Sequence, residues 1–421
     1  MSIPSVAFVG LGYIGLPTAV VMANSGVDVT GIDINADNVA RINRGEVTIV
    51  EPGLEDELRQ ALNSGRFRAS TEQVHAETYI IAVPTPFTHD YNVDMKYIYS
   101  AAEAIAPMLK GGELLILEST SPPLTTRRMA EKILSLRPDL VADGQEGSDN
   151  RAVIYFAHCP ERILPGKALE ELRTNDRIIG GQTPEAAEKA ASIYATFCRG
   201  ELLKTTDVTA EMAKLTENSF RDVNIAFANE LSRIADYLDI DIWELIELAN
   251  HHPRVNILQP GPGVGGHCIA VDPWFIVAAD PTNAKLIRTA REVNDSKPDW
   301  VIEKVTSAIP NLSFNEDQAT IAILGLSFKA NIDDLRESPA VRITSELAQS
   351  LPDNRFIAVE PNISKLPDAL ASIKNLELLD LDDAVKEADL VVLLVDHDEF
   401  KSVPNEKLNG KKIVDTKGIW R

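Results

Sequence analysis

The amino-acid sequence predicts an α/β protein with two Rossmann-like, doubly wound domains joined by a long central helix. Near the N-terminus, the β-branched run "VAFV" is followed at once by the glycine pattern GxGxxG and an apolar helical stretch. From residue 207 the hydrophobic period becomes helical, and neither Gly nor Pro interrupts it for about 30 residues. After residue 318 the alternation of strand, glycine and helix returns. These three observations predict a first α/β domain, a helical middle and a second α/β domain.

The composition is typical of a globular protein with more than one hydrophobic core, and it argues against some kinds of binding partner. The chain has 421 residues, 44% of them hydrophobic, and a formal net charge of −22. This charge argues against nucleic-acid binding, and the longest apolar runs, such as "LVVLLV" at 390–395, are too short for membrane insertion. Three cysteines and an N-terminus without a basic flank predict a cytoplasmic, reduced protein without disulfides or a signal peptide.

The first domain, residues 1–205, begins with a pattern typical of dinucleotide binding. Gly10, Gly12 and Gly15 lie between a strand and a helix, and the next strand ends at Asp33. In that context the glycines allow a tight turn, close approach of a pyrophosphate and close packing of helix on strand. Asp33 would accept hydrogen bonds from a ribose diol and repel a 2′-phosphate, so the sequence predicts NAD rather than NADP. The alternative is a doubly wound fold whose glycines only serve turns.

Four more strands follow in this domain at the spacing of a parallel sheet, predicted at 79–86, 113–120, 152–161 and 177–181. The C-terminal ends of the first three carry Thr85, Thr120 and Glu161. Ligands bind at that edge of an open α/β sheet, so we expect these three residues near the ligand site.

The middle region, residues 206–310, carries a polar stripe on its long helix. Lys214, Asn218 and Arg221 are spaced i, i+4 and i+7, which places them on one face, within roughly 40° of one another. A solvated surface stripe is one interpretation. The other is a site for an anionic substrate that undergoes proton transfer, because a lysine held near a second cation can act as a base.

Cys268 lies in the glycine-rich loop "GPGVGGHCIAVDP" at 261–273, and Asp272 follows it at i+4. From this spacing alone, Cys268 is either a small buried side chain or an accessible nucleophile whose thiolate backbone N–H groups would stabilise. Cys159 and Cys198 are interpreted as packing residues. The nearby histidines do not have the spacing of a zinc site, so no metal is predicted.

The second α/β domain, residues 311–421, repeats the pattern of short apolar strands. Strands are predicted at 319–325, 355–361, 388–395 and 411–418.

Taken together, the motifs resemble one enzyme family over the whole chain. The chain is similar to the UDP-glucose/UDP-N-acetylhexosamine 6-dehydrogenases, NAD-dependent enzymes that oxidise a sugar CH2OH to a carboxylate. The similarity lies in "GLGYIGLP" with Asp33, "AVPTP", "EST", "CPERILPG", "EMAKLTENSFRDVNIAFANE", "GPGVGGHCIAVDP" and "LGLSFKANIDDLRESPA". "PERILPGKAL" and "GGHCIAVDPWFIV" look most like the branch that oxidises UDP-N-acetyl-D-mannosamine for cell-envelope polysaccharide synthesis. UDP-N-acetylglucosamine and UDP-glucose are the alternative substrates.

The resemblance implies a chemical role for Cys268, which matches the family's nucleophile. In the family pattern the alcohol becomes an aldehyde, and the thiolate captures it as a thiohemiacetal. A second NAD takes hydride to leave a thioester, and water then releases the carboxylate. The positions that match the family's acid–base, oxyanion and water-positioning residues are Lys214, Asn218, Asp272, Glu161 and Thr120.

The resemblance also implies the binding residues and the assembly. The positions that match cofactor contacts are Gly10, Gly12, Tyr13, Ile14, Gly15, Asp33, Thr85, Thr120 and Arg336. The positions that match substrate contacts are Arg162, Ile163, Lys214, Asn218, Arg221, His252, Arg254, Gly265, Phe328 and Lys329. A homodimer built on the central helix is expected, with Arg254 reaching the partner's site.

Two other functions fit part of the pattern. A two-electron β-hydroxyacid dehydrogenase shares an N-terminal Rossmann domain, a helical middle and a catalytic lysine, but it needs neither Cys268 nor a second doubly wound domain. An NAD-sensing regulatory protein could keep the glycines but has no use for Lys214 and Cys268 together.

Overall fold

The fold is taken from a computed structural model, which describes residues 5–49, 51–88, 92–145, 150–164, 166–266, 268–309 and 319–420. The chain divides into two compact units, Met1–Thr216 and Glu217–Arg421. Each unit contains its own sheet.

Within the described residues, the first unit contains one sheet of nine strands. Its strands are β1 (Val6–Val9), β2 (Val29–Ile32), β3 (Phe67–Ser70), β4 (Thr78–Ile81), β5 (Leu114–Leu117), β6 (Leu140–Ala142), β7 (Ala152–His158), β8 (Arg177–Gly181) and β9 (Leu202–Thr206). The spatial order is β3-β2-β1-β4-β5-β7-β8-β9, with β6 paired to β7. From β3 to β7 each pairing is parallel. The order reverses at β1, which is the doubly wound arrangement that the sequence predicts.

Helices cover both faces of this sheet. They are α1 (Gly15–Asn24), α2 (Ala36–Asn43), α3 (Leu54–Asn63), α4 (Lys96–Ile105), a short 3-10 turn (Ala106–Met108), α5 (Thr125–Leu136), α6 (Ala168–Thr174) and α7 (Pro184–Tyr194). Val6 and Phe8 of β1 belong to one apolar cluster, and Ala7 and Val9 belong to another. Because successive side chains of a strand point to opposite faces, both faces of the sheet are buried, and this explains why its strands are continuous apolar runs.

Strand β8 differs from the prediction of parallel strands. It is antiparallel to β7, with Ala157 opposite Gly181 and His158 opposite Gly180, and it is parallel to β9. In the described part of the connection between β7 and β8, the one helix is α6, whose seven residues span about 10 Å. A helix of this length does not by itself return the chain along β7, whose seven residues span about 23 Å. The chain therefore turns back at the carboxyl end of β7.

A long helix, α8 (Asp207–Tyr237), follows β9, and the division between the two units falls within it. It begins where the hydrophobic period of the sequence changes. The predicted boundary between residues 310 and 311 lies outside the described residues, so the three-domain division stays a prediction.

The second unit repeats the open parallel sheet. Its strands are β10 (Thr320–Leu324), β11 (Arg355–Val359), β12 (Leu376–Leu378), β13 (Leu390–Leu393) and β14 (Lys412–Asp415). Their order is β12-β11-β10-β13-β14, and every pairing is parallel. Its helices are α9 (Ile242–Asn250), α10 (Asp272–Ala279), α11 (Lys285–Asp295), α12 (Lys297–Ala308), α13 (Pro339–Ser350), α14 (Asp368–Ala371), α15 (Leu381–Glu387), α16 (Asp398–Lys401) and α17 (Asn405–Leu408).

The fold class is therefore the predicted one, although most strands are shorter than predicted and β3, β6, β9 and β12 were not predicted. The segment predicted as a strand at 79–86 leaves the sheet after Ile81. Pro84 and Pro86 lack the N–H group that a strand in the middle of a sheet must donate. Among the helices of the described ranges, none is both long and apolar enough to cross a membrane.

Candidate active site

The turn between β1 and α1 has the shape that a dinucleotide requires. Gly10 has a φ of +97°, and a Cβ there would collide with the backbone of Ala82 after β4. A Cβ on Gly15 would collide with the Gly10 carbonyl. At Gly12, by contrast, no described atom lies within 4 Å of the place a Cβ would take. The fold itself therefore needs Gly10 and Gly15, whereas Gly12 faces open space at a helix N-terminus, where a pyrophosphate fits.

Asp33 lies directly after β2, beside this turn. Its Oδ2 accepts a hydrogen bond from the Leu11 N–H at 3.1 Å, and its Oδ1 accepts one from the Asn35 N–H at 2.9 Å. Two backbone donors therefore orient the carboxylate at the end of β2, the position that binds a ribose diol in dinucleotide folds. The residues present fit NAD.

Tyr13 forms a hydrogen bond with Glu51, a residue that was not predicted from the sequence. Its hydroxyl donates to Glu51 Oε2 at 3.2 Å, and the buried Glu51 also accepts from the N–H groups of Gly166 and Ala168, both at 2.8 Å. Glu51 thus joins the glycine turn to the segment that follows β7. No local motif marks Glu51 in the sequence, because Tyr13 lies 38 residues away and its other two partners lie more than a hundred residues away.

Hydrogen bonds join the loops after β4 and β5 at the carboxyl edge of the sheet. The Thr85 hydroxyl donates to the Thr120 carbonyl at 2.7 Å, and the Ser119 hydroxyl donates to the Val83 carbonyl at 2.6 Å. The structure therefore brings Thr85 and Thr120 together.

Glu161 lies just beyond β7 and is largely buried. One carboxylate oxygen accepts from the Arg162 N–H at 2.7 Å, and the other accepts from the guanidinium of Arg177. The Arg162 side chain donates to the Asp176 carbonyl at 3.1 Å, and Ile163 packs against the apolar cluster of the first unit.

On α8, the predicted stripe has two half-buried residues, Lys214 and Asn218, and one exposed residue, Arg221. The Asn218 amide donates to Asp272 Oδ2 at 2.5 Å. Asp272 is buried and is the first residue of α10. The structure thus joins two of the predicted catalytic side chains across 54 residues of sequence.

Cys268 is exposed. Its carbonyl accepts hydrogen bonds from the N–H groups of Val271 and Asp272, at 3.1 and 2.9 Å, so the cysteine begins the turn that leads into α10. A Cβ on Gly265 would press on Phe328 and Pro339, and a Cβ on Gly266 would press on the Phe328 ring. These two glycines are therefore needed for packing on the segment after β10.

That segment carries the remaining predicted residues of the second unit. Phe328 is half-buried and donates its N–H to the Asp334 carbonyl at 3.2 Å, whereas Lys329 is exposed. Arg336 pairs with the Asp334 carboxylate at 2.6 Å, and its carbonyl accepts from the Gly266 N–H at 3.3 Å. Phe328 and Arg336 therefore lie against the loop that carries Cys268.

His252 and Arg254 lie in an exposed segment after α9. The His252 ring accepts a hydrogen bond from the Arg254 N–H at 3.4 Å. Among the residues that the structure describes, no hydrogen bond or ion pair joins either side chain to the other predicted substrate residues. In the same residues, no group of three His, Cys, Asp or Glu side chains could hold a metal ion.

Comparison with known proteins identifies the family of each region. Residues 4–198 match the NAD binding domain of the UDP-glucose/GDP-mannose dehydrogenase family. Residues 208–296 match its central domain, and residues 322–421 match its UDP binding domain. A family match that includes a UDP binding domain excludes the two-electron hydroxyacid dehydrogenase and the NAD sensor.

Individual relatives resemble the chain over its whole length. It is 53% identical over 425 residues to a UDP-N-acetyl-D-mannosamine dehydrogenase of Salmonella typhi, with 100% of both chains covered. It is 52% identical over 416 residues to an NDP-N-acetyl-D-galactosaminuronic acid dehydrogenase of Ralstonia nicotianae, with 99% of this chain and 96% of that protein covered. The solved structure of a UDP-N-acetyl-mannosamine dehydrogenase from Staphylococcus aureus is similar, with 43% identity, a TM-score of 0.84, and 99% and 95% of the two chains covered.

Proposed function

The chain belongs to the UDP-glucose/GDP-mannose dehydrogenase family, and on that premise we propose that it oxidises C6 of UDP-N-acetyl-D-mannosamine to the carboxylate with NAD. The observation that carries the proposal is the identity of 53% over the whole chain to a UDP-N-acetyl-D-mannosamine dehydrogenase. The product, UDP-N-acetyl-D-mannosaminuronate, would serve cell-envelope polysaccharide synthesis. In this proposal residues 1–205 bind NAD, 206–310 carry the catalytic lysine and cysteine, and 311–421 bind the UDP-sugar.

The overall reaction removes four electrons from the sugar. One CH2OH group, two NAD and one water become one carboxylate, two NADH and three protons. NAD, when bound, accepts the hydride at each of the two oxidation steps. The protein must therefore hold the aldehyde between the two oxidations and convert it into a form that can lose a second hydride.

Cys268 meets this requirement in the proposal. Lys214 accepts the proton of the alcohol during the first oxidation. The Cys268 sulfur then bonds to the aldehyde carbon, and the thiohemiacetal that forms loses a hydride to become a thioester. Its exposure and its position at the start of a turn support this role, because a sugar carbon must reach the sulfur.

The Asn218–Asp272 hydrogen bond supports the next step. An amide has two N–H donors, and Asp272 fixes the orientation of the Asn218 amide by accepting one of them. We assign the other to the oxyanion that forms at the sugar carbon. Lys214 and Asp272 serve the acid–base steps of thioester hydrolysis, with Glu161 and Thr120 positioning the water.

We also propose that two copies of the chain associate through α8. Phe220, Phe227 and Ile234 are spaced by seven residues, which places them within roughly 40° on one helix face. They are 71%, 52% and 47% exposed. A row of large apolar side chains along about four turns of a helix supports an interface with the same row of a second copy.

A cytoplasmic location belongs to the same proposal. Among the described residues, no disulfide involves Cys159, Cys198 or Cys268. Cysteines outside disulfides fit a reducing compartment, where a thiol nucleophile stays unoxidised.

A comparison of sugar nucleotides tests the substrate. NADH formation is measured with UDP-N-acetylmannosamine, UDP-N-acetylglucosamine, UDP-N-acetylgalactosamine and UDP-glucose, and kcat/KM is expected to be highest for the first. The relative of 52% identity makes a UDP-N-acetylgalactosamine-type sugar the second candidate. A higher kcat/KM for any sugar other than UDP-N-acetylmannosamine would overturn the substrate assignment.

A further inference from the structure

Beneath the carboxyl edge of the first sheet, two carboxylates and one guanidinium are buried together. Glu118 directly follows β5, Glu161 follows β7, and Arg177 is the first residue of β8. They are 1%, 8% and 4% exposed. Charged groups are rarely buried to this extent unless they are paired, so the arrangement of the three decides what they do.

Arg177 is the centre of this cluster. Its Nη2 donates to Glu161 Oε2, and its Nη1 lies 3.7 Å from Glu118 Oε1. The rings of Tyr194 and Phe197 lie 4.7 and 5.3 Å from the guanidinium carbon, so the plane of the guanidinium is held by aromatic side chains while its edges meet the carboxylates. The guanidinium therefore cannot swing away from Glu161 without losing both rings.

The antiparallel direction of β8 explains this meeting. The ladder pairs Ala157 with Gly181 and His158 with Gly180, and the same register carried onward sets Glu161 opposite Arg177. A parallel β8, as the sequence suggested, would place its first residue at the opposite edge of the sheet.

If both carboxylates are ionised, the cluster holds two negative charges and only one positive charge. Glu118 Oε1 accepts from the Tyr194 hydroxyl at 3.1 Å, whereas its Oε2 has no hydrogen-bond partner among the described residues. The pKa of the Glu118 carboxyl is raised to about 8, chiefly by burial and then by the charge of Glu161, while Arg177 and Tyr194 act in the opposite direction. The charge of Glu118 also acts on Cys159. Burial raises the pKa of this thiol and of the Tyr194 hydroxyl, so both stay neutral.

We propose that Arg177 is a positioning residue that holds the Glu161 carboxylate in place, and that Glu118 carries a proton beside it in the working enzyme. The inference rests on the proposed function for the role of Glu161. With Glu118 neutral, Glu161 is the one charged partner of Arg177 in this cluster. When Glu118 ionises at high pH, a second carboxylate competes for the same guanidinium, and Arg177 holds Glu161 less firmly.

Arg177→Lys tests the positioning role. It keeps the positive charge but loses the planar guanidinium, whose separate nitrogen atoms can face two carboxylates at once. We expect kcat for the UDP-sugar to fall at least tenfold, while KM for the UDP-sugar and the Kd of NAD change by less than threefold. A kcat within twofold of the wild type would overturn the positioning role, and so would a loss of NAD affinity as large as the loss of kcat. If this variant does not fold, Glu118→Gln decides the proposal.

Glu118→Gln keeps the shape and the hydrogen bond to Tyr194 but cannot ionise. The ratio of its kcat to that of the wild type should be constant below pH 7 and rise at least threefold between pH 7 and pH 9.5. Glu188→Gln, an exposed carboxylate on the helix that carries Tyr194, is the matched control and should give a constant ratio. A constant ratio for Glu118→Gln across this range would overturn the proposal.

Melting temperatures separate this inference from the proposed function, because they need no substrate. A carboxyl whose pKa is raised on folding stabilises the protein less as pH rises from the unfolded value, 4.5, to about 8. The wild-type Tm should therefore fall more steeply between pH 5.5 and pH 8 than the Tm of Glu118→Gln. Equal slopes would contradict a proton on Glu118. If UDP-N-acetylmannosamine is not oxidised but the slopes differ, the substrate assignment alone fails, and the kinetic tests are repeated with the sugar that is oxidised.

Discussion

Asp33 is oriented by the protein itself. The N–H groups of Leu11 and Asn35 each donate to one of its carboxylate oxygens, so the carboxylate is fixed at the end of β2. A negative charge fixed at that place attracts a ribose diol and repels a 2′-phosphate, and the choice between the two cofactors therefore depends on this one side chain.

Replacing Asp33 by Asn should weaken the preference for NAD. A hydrogen bond to a charged group contributes about 1.5–3 kcal/mol, so kcat/KM for NAD should fall by about 10- to 100-fold in Asp33→Asn. The value for NADP should fall less or rise. Steady-state kinetics with both cofactors measure this, and Asp37→Asn, an exposed acid of α2, is the control that should not change either value. A wild-type enzyme that used both cofactors equally would contradict the role of Asp33.

The predictability of single residues depends on whether their partners lie at a fixed spacing that a known motif prescribes. Gly10 and Asp33 could be assigned from the sequence because the dinucleotide turn has a fixed local spacing. Glu51 and Arg177 could not, because each acts on partners that only the folded sheet brings near: Glu51 across 117 residues to Ala168, and Arg177 across an antiparallel pairing to Glu161.

At the scale of elements, helix α5 depends on another helix for its N-terminal cap. Leu124 precedes it with a φ of +74°, and α5 has no side-chain cap of its own. Glu211 of α8 accepts from the N–H groups of Leu124 and Thr126, at 2.6 and 2.7 Å, and from the Thr126 hydroxyl at 2.7 Å. This buried carboxylate therefore fixes the start of α5 and with it the loop that carries Thr120.

Glu211→Ala should destabilise the protein by about 1–3 kcal/mol, because it leaves buried N–H donors without their acceptor. Chemical denaturation followed by circular dichroism measures the change in the free energy of unfolding. Glu217→Ala, an exposed residue of the same helix, should change it by less than about 0.5 kcal/mol. An equal effect of the two substitutions would show that Glu211 does not cap α5.

The secondary-structure elements differ in how well the sequence predicts them. The central helix was predicted well because about 30 residues share one period. The four missed strands lack a continuous apolar run of four residues: β6 and β12 have only three residues, and β3 and β9 include charged and hydroxyl side chains. The direction of β8 was predicted wrongly. The residues of a strand do not show whether the preceding connection crosses the sheet, which gives a parallel strand, or turns back at the same edge, which gives an antiparallel one. That direction depends on the short α6 and on the pairing it permits.

At the scale of the whole molecule, the exposed apolar row on α8 leads to a prediction on assembly. Phe227→Asp places a charge in the middle of the row, and the cost of burying it should convert the proposed dimer into a monomer. Light scattering coupled to size exclusion should give half the wild-type mass, with an unchanged circular dichroism spectrum. Leu286→Asp, which alters a more exposed apolar residue of α11, should leave the mass unchanged. A monomeric wild type would refute the dimer.

The central claim is a four-electron oxidation through Cys268, and the number of NADH formed per UDP-N-acetylmannosamine consumed tests it most directly. The wild type should form two NADH per sugar oxidised, because a CH2OH group loses four electrons and each NAD accepts two. Cys268→Ala should keep NAD binding but lose turnover on the order of a thousandfold or more. Cys198→Ala, which alters a half-buried thiol of the first unit, should keep both the ratio of two and the rate. One NADH per sugar, or a Cys268→Ala enzyme that forms the carboxylate at the wild-type rate, would contradict the account.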